Sequence, residues 1–124
     1  MTNKSPNEIS TPLSRQEIEL IEATVLPALE KHHLRLLAHC LACFQSISNA
    51  ESGELPDEDL RIGWCMKQPT LTREHTFIPI LLKQLHSAAC QLETLANSFG
   101  ITPLELTLQH LIKSKLLQLE QIEP

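Results

Sequence analysis

Apolar residues recur at helical spacing through most of the chain. From Ser14 onward Ile18, Ile21, Val25, Leu29, Leu36, Cys40, Cys43 and Ile47 hold one stripe, the three-to-four-residue period that lines up side chains on one face of an α-helix. Ser14 and Glu17 have the spacing of a capping box, in which each side chain satisfies a free backbone donor, so a helix is expected to begin there. Pro27 interrupts the stripe, but the period resumes at once beyond it, which predicts a kinked helix rather than an ended one. Past the proline the apolar surface widens. Leu26, Leu37 and Phe44 extend one flank, while Leu34 and Leu41 lie well round toward the other side. A helix apolar over so much of its circumference needs cover from two sides, or from one side and a partner chain.

The connection from Ala50 to Thr70 loses this period. Gly53 is expected to stop the first helix, and Pro56 followed by Asp57, Glu58 and Asp59 favours one short helical turn, with acidic groups where the helix dipole wants them. Leu60, Ile62 and Trp64 should pin that connection to the core. A second long helix starts between Thr72 and Phe77 and carries Phe77, Ile78, Leu81, Leu85, Ala88, Leu92, Leu95 and Phe99 on one stripe, ending at Gly100 in the left-handed cap conformation. Thr102, Pro103 and Glu105 then restart a helix by the same capping logic. That third helix runs to about Leu119, with Leu106 and Leu117 opposite its main face.

The expected fold is therefore all-α: a bundle of three long helices plus a short helical turn in the 50–70 connection. Residues 1–12 are polar, contain two prolines and show no period, which marks a flexible arm ahead of a single domain over residues 13–124. Composition supports this. There are 23 leucines, four aromatic residues and three glycines, a balance that favours helix over sheet.

Charge narrows the partners. Ten lysines and arginines against fifteen acids give a net charge of −5, with no basic run to neutralise a row of phosphates and few aromatic faces on which bases could stack. Nucleic acid is a poor partner on these grounds. No stretch has the roughly 18 apolar residues of a membrane span, and the N-terminus lacks the apolar core of a secretory signal. The chain is expected to be cytoplasmic, with Cys40, Cys43, Cys65 and Cys90 reduced.

The sharpest local coincidence is a histidine and a cysteine four apart in two places, His39 with Cys43 and His86 with Cys90. That spacing lets two side chains share one metal ion, and two such pairs make a tetrahedral set. Against this, His86 and Cys90 lie far round from the apolar centre of their helix while the other pair sits at the edge of its own, so nothing in the period brings them together. The stronger expectation is no metal and no cofactor, with Cys40 and Cys43 as small core residues. His32 and His33 invite a di-metal or haem site, but only Glu30 and His33 have the carboxylate-to-histidine spacing of a bundle site, where two such motifs are needed. A Cys43 nucleophile with His39 as base would require an oxyanion site and a group orienting the base, for which the sequence offers no glycine-rich loop or polar cluster. The chain is expected not to be an enzyme.

The stretch from Leu92 to Leu116 resembles the helix, glycine turn and helix of helix-turn-helix and ribbon-helix-helix regulators in Leu95, Ala96, Gly100, Ile101, Thr102, Glu105 and Leu106. The resemblance covers about a fifth of the chain and implies a DNA-binding regulator. It departs from that pattern where Leu104, Thr107, Leu108 and Gln109 stand in place of groove-reading arginine, lysine or asparagine.

The function expected first is a helical protein-interaction or regulatory module, with DNA binding through residues 92–116 and metal binding through the two His–Cys pairs as alternatives. Its partner is expected to be a second copy of itself, docked through Leu34, Leu41, Leu106 and Leu117, the leucines for which one amphipathic neighbour provides no cover.

Overall fold

The computed structural model of the chain describes residues 14–68 and 77–122. Both the N-terminal arm expected over residues 1–12 and the start of the second long helix expected between 72 and 77 lie outside, or at the edge of, those residues. The described residues are all-helical: α1 (Arg15–Glu22), α2 (Ala28–Ser48), α3 (Glu58–Met66), α4 (Phe77–Phe99), a 3₁₀ turn (Pro103–Glu105) and α5 (Leu108–Ile122). The all-α class follows the hydrophobic period, but five helices replace three long ones and a short turn.

Two of the differences are helices that break where a continuous one was expected. The first falls at Pro27. The Ser14–Glu17 capping box forms, and α1 then ends after two turns at Glu22. Two side chains take over carbonyls that a continuing helix would have bonded: the Thr24 hydroxyl donates to Ile21 O at 2.8 Å, and Lys31 Nζ donates to Glu22 O at 2.8 Å. Pro27 is extended and serves as the N-cap of α2, so the proline begins a new helix instead of kinking an old one. This break lets α1 lie against α2 and bury Ile21 completely.

The second break falls at Leu106. Thr102 and Glu105 do open a helical segment, but it is a single 3₁₀ turn. Leu106 is extended, and Thr107 starts α5 afresh. The Thr107 N–H donates to His110 Nδ1 at 3.0 Å and the His110 N–H donates to the Thr107 hydroxyl at 3.4 Å, a reciprocal cap in which histidine stands in the place of the usual glutamate. The Phe99 ring lies against His110, with centroids 4.7 Å apart, closing the α4–α5 hairpin. Gly100 has φ +70, the left-handed cap expected of it.

Helix α2 is capped by Asn49, which is left-handed at φ 51 and ψ 46, so the helix stops ahead of the end expected at Gly53. Gly53, at φ +105, has a different task. Its N–H donates to the Thr102 hydroxyl at 2.9 Å and its carbonyl accepts from Leu104 N at 3.1 Å, while Gln45 Nε2 donates to Leu104 O at 3.0 Å. The end of α2 and the loop after it are thereby tied to the distant 3₁₀ turn at one end of the bundle. At the other end Lys115 reaches Glu30 at 3.0 Å, so α5 runs back along α2.

Helix α2 packs against every other described element. Its widened apolar surface is covered from within the chain: Leu34 and Phe44 are fully buried, and Leu37 and Leu41 nearly so, among Leu85, Leu92, Leu104, Leu106 and Leu111. Helix α3 covers the last flank. Asp57 caps it, as the acidic run predicts, and Arg61 lies buried with Nε donating to Pro56 O at 2.8 Å and its guanidinium 5.2 Å from the centre of the Phe44 ring. No described helix is long and apolar enough to cross a membrane.

Candidate functional site

A groove of about 450 Å³ opens where α1 crosses α2 and the 3₁₀ turn hands over to α5. Its floor is made by α2. Ala38 and Ala42 lie one turn apart on the same face, and their methyl side chains leave open a strip that longer residues would fill. Leu20 of α1 forms one wall and is half exposed. Leu106 and Leu108, turned by the break between the 3₁₀ turn and α5, form the other. The second break in the helical pattern therefore creates the concavity.

The rim is anionic. Glu17 comes from α1, Glu51 from the loop after α2 and Glu105 from the 3₁₀ turn, and among the described residues every charged one lining the groove is one of these carboxylates. The Glu105 carboxylate accepts from the Thr102 hydroxyl at 2.7 Å and the Thr102 N–H at 2.8 Å, and these bonds hold its pKa below the ordinary glutamate value. Glu17 Oε1 accepts from the Ser14 N–H at 2.9 Å. The arrangement offers apolar burial surrounded by negative charge, which can bind a complementary surface.

Of the leucines expected at a dimer interface, three are buried in the chain's own fold, with Leu41 and Leu106 contributing only to the lining of the groove. Leu34, Leu41 and Leu106 are 0%, 5% and 2% exposed in the chain's own core. One continuous helix would put Leu106 on an outer face, and the break before Thr107 turns it inward. Leu117 is 44% exposed.

The His–Cys pairs do not build a metal site either. His86 and Cys90 are exposed on α4, His39 and Cys43 are partly buried on α2, and no three histidines, cysteines, aspartates or glutamates among the described residues are grouped to hold a metal ion. Cys43 instead sits near Cys40 and Cys65. Burial first, and then the neighbouring Cys40 and Cys65, push its thiol up to about 12, while burial pushes Cys40 up to about 11. Such thiols stay protonated and unreactive near neutral pH, the opposite of what a nucleophile needs. Burial, and secondarily Arg35, lowers the pKa of His39. The resemblance to helix-turn-helix regulators also fails in three dimensions, because the supposed recognition helix is a 3₁₀ turn followed by a break, with Leu104, Leu106 and Leu108 buried.

Two smaller hollows flank α4. One, of about 250 Å³, lies between His33, Leu36 and Cys40 of α2 and Gln84, Ser87 and Gln91 of α4. The other, of about 280 Å³, lies between α4 and α5 and includes Cys90 and Lys115. Neither has the concentration of like charge seen at the α1–α2 groove.

The residues that shape that groove were missed in the sequence. Ala38 and Ala42 count as core in a hydrophobic pattern, and only their small size four residues apart on a leucine-rich helix signals a gap.

No curated protein and no solved structure matches the chain significantly. A family model does match, that of the NDH complex assembly factor CRR9, over residues 13–121, from ahead of α1 to the last turn of α5. This replaces the general interaction or regulatory module expected from the sequence, together with its DNA-binding and metal-binding alternatives, by a role in assembling a complex. With that match spanning nearly the whole folded region, the chain belongs to the family of the NDH complex assembly factor CRR9.

Proposed function

We propose that this chain acts in assembly of the NDH complex by binding one of its protein components, without a catalytic step of its own. The family match over residues 13–121 carries this reading. The geometry supports it physically. Assembly needs a surface that holds an incomplete component and then releases it, and a half-open groove with an apolar floor supplies moderate burial without the large dry interface of a permanent complex. Of the leucines expected at a dimer interface, Leu117 is exposed, while Leu34, Leu41 and Leu106 are buried within the chain.

Removal of the chain from cells that make the complex tests the proposal. Native gels should then show loss of mature complex and accumulation of partial assemblies, both reversed by restoring the chain. A mature complex formed at its normal level and rate without the chain would overturn the proposal.

A further inference from the structure

We infer that the groove between α1, α2 and the start of α5 receives a cationic amphipathic segment of the component being assembled: apolar side chains on the Ala38–Ala42 floor, and lysines or arginines against Glu17, Glu51 and Glu105. The inference rests on the assembly reading and names the chemistry of the partner.

Charge complementarity selects this occupant. Three carboxylates from three separate parts of the chain line one groove with an apolar floor, and among the described residues no lysine, arginine or histidine lines it. Screening confines charge effects to about 8 Å at physiological salt, so a guest in the groove senses this rim more than the charge of the chain as a whole. An acidic guest meets repulsion from three sides. A wholly apolar guest would fill the floor but leave three anions at its edge without counter-charge. A cationic amphipathic segment satisfies both surfaces. The hollow between α2 and α4, lined by Gln84, Ser87 and Gln91, provides no such selection.

Two rim carboxylates also cap backbone donors, so their removal would disturb the fold. Glu51 and Gln109 are exposed lining residues suited to substitution. The probe is a fluorescent peptide of about 16 residues with leucines at helical spacing and lysines elsewhere, compared with the same peptide carrying glutamate for lysine. The full chain should bind the lysine peptide and not the glutamate peptide. Affinity should fall on the order of tenfold between about 50 and about 300 mM NaCl. The double variant Glu51→Lys/Gln109→Lys should weaken binding at least about tenfold, as should Ala42→Leu, which fills the floor. Glu93→Lys, exposed on α4, should leave binding unchanged. Equal binding of the two peptides, or full binding by a double variant with a normal melting curve, would overturn the inference, as would a dimer of the chain that Ala42→Leu dissociates.

The same variants in cells separate this inference from the assembly proposal. If deletion blocks assembly but Glu51→Lys/Gln109→Lys supports it fully, the groove assignment fails and the assembly role stands. If deletion leaves assembly intact, the assembly role fails and with it the inference that rests on it.

Discussion

Replacing Leu34 with alanine removes a side chain that is 0% exposed and held among residues of this same chain. Leucine-to-alanine changes at fully buried sites cost about 3 to 5 kcal/mol, because the lost transfer energy is joined by that of a cavity the neighbours only partly close. For a domain of this size about 1 kcal/mol moves the melting temperature by about 4 °C, so the midpoint should drop by about 12 °C or more. Circular dichroism melts over a hundredfold range of concentration, from about 2 to about 200 μM, distinguish an internal leucine from an interfacial one. If α1, α3, α4 and α5 cover α2, the drop is the same at every concentration. A wild-type midpoint that climbs with concentration, together with a Leu34→Ala penalty below about 1 kcal/mol, would refute the intramolecular core. Leu117→Ala is the matched control: with this side chain 44% exposed, the change should shift stability by no more than about 0.5 kcal/mol.

Thr102→Val removes the hydroxyl that accepts from Gly53 and donates to Glu105, and should cost about 1 to 2 kcal/mol, read by urea denaturation, with faster amide exchange at Gly53 as its local signature. At pH 8, Cys90 should react first with a disulfide reagent because it is exposed, whereas Cys40, raised from 9.0 to about 11, has about a hundredfold less thiolate than an ordinary thiol. Since the folded-state values of Cys40 and Cys43 lie above 9.0, their contribution to stability is intact below that pH and lost as the pH rises toward 11 to 12; melts from pH 8 to 11 should show the decline, and Cys43→Ala should reduce it. His39 has the opposite dependence: its pKa is lowered from 6.5, so its contribution is present above pH 6.5 and lost as the pH falls through the lowered value. Imidazole proton shifts should report that titration, and Arg35→Gln should move it upward.

The sequence shows helical class and many termini because those signals are local. Ser14 with Glu17, Asp57 ahead of α3 and Gly100 after α4 each act on neighbouring backbone groups, and each forms as expected. The breaks at Pro27 and Leu106 were harder to see. Each depends on a competitor for backbone hydrogen bonds: Lys31 reaching back nine residues to Glu22 O, and a histidine where the capping rule looks for glutamate. The break at Leu106 has the larger consequence, since a last helix continued through it would put a buried leucine on the outside. The breadth of the apolar surface of α2 was legible, but whether a second chain or this one covers it depends on tertiary contacts that periodicity does not encode. The groove was least legible of all, because it arises from what Ala38 and Ala42 lack.

A neutral photoreactive side chain at position 109, on the exposed lip of the groove, introduced into the full chain in cells assembling the complex, tests the account most directly. Irradiation should attach the chain to a protein component of the NDH complex through a basic, apolar segment of that component, and the same group at position 93 should give no such product. A product formed from position 93 and not from position 109, or attachment at position 109 to an acidic segment, would contradict it.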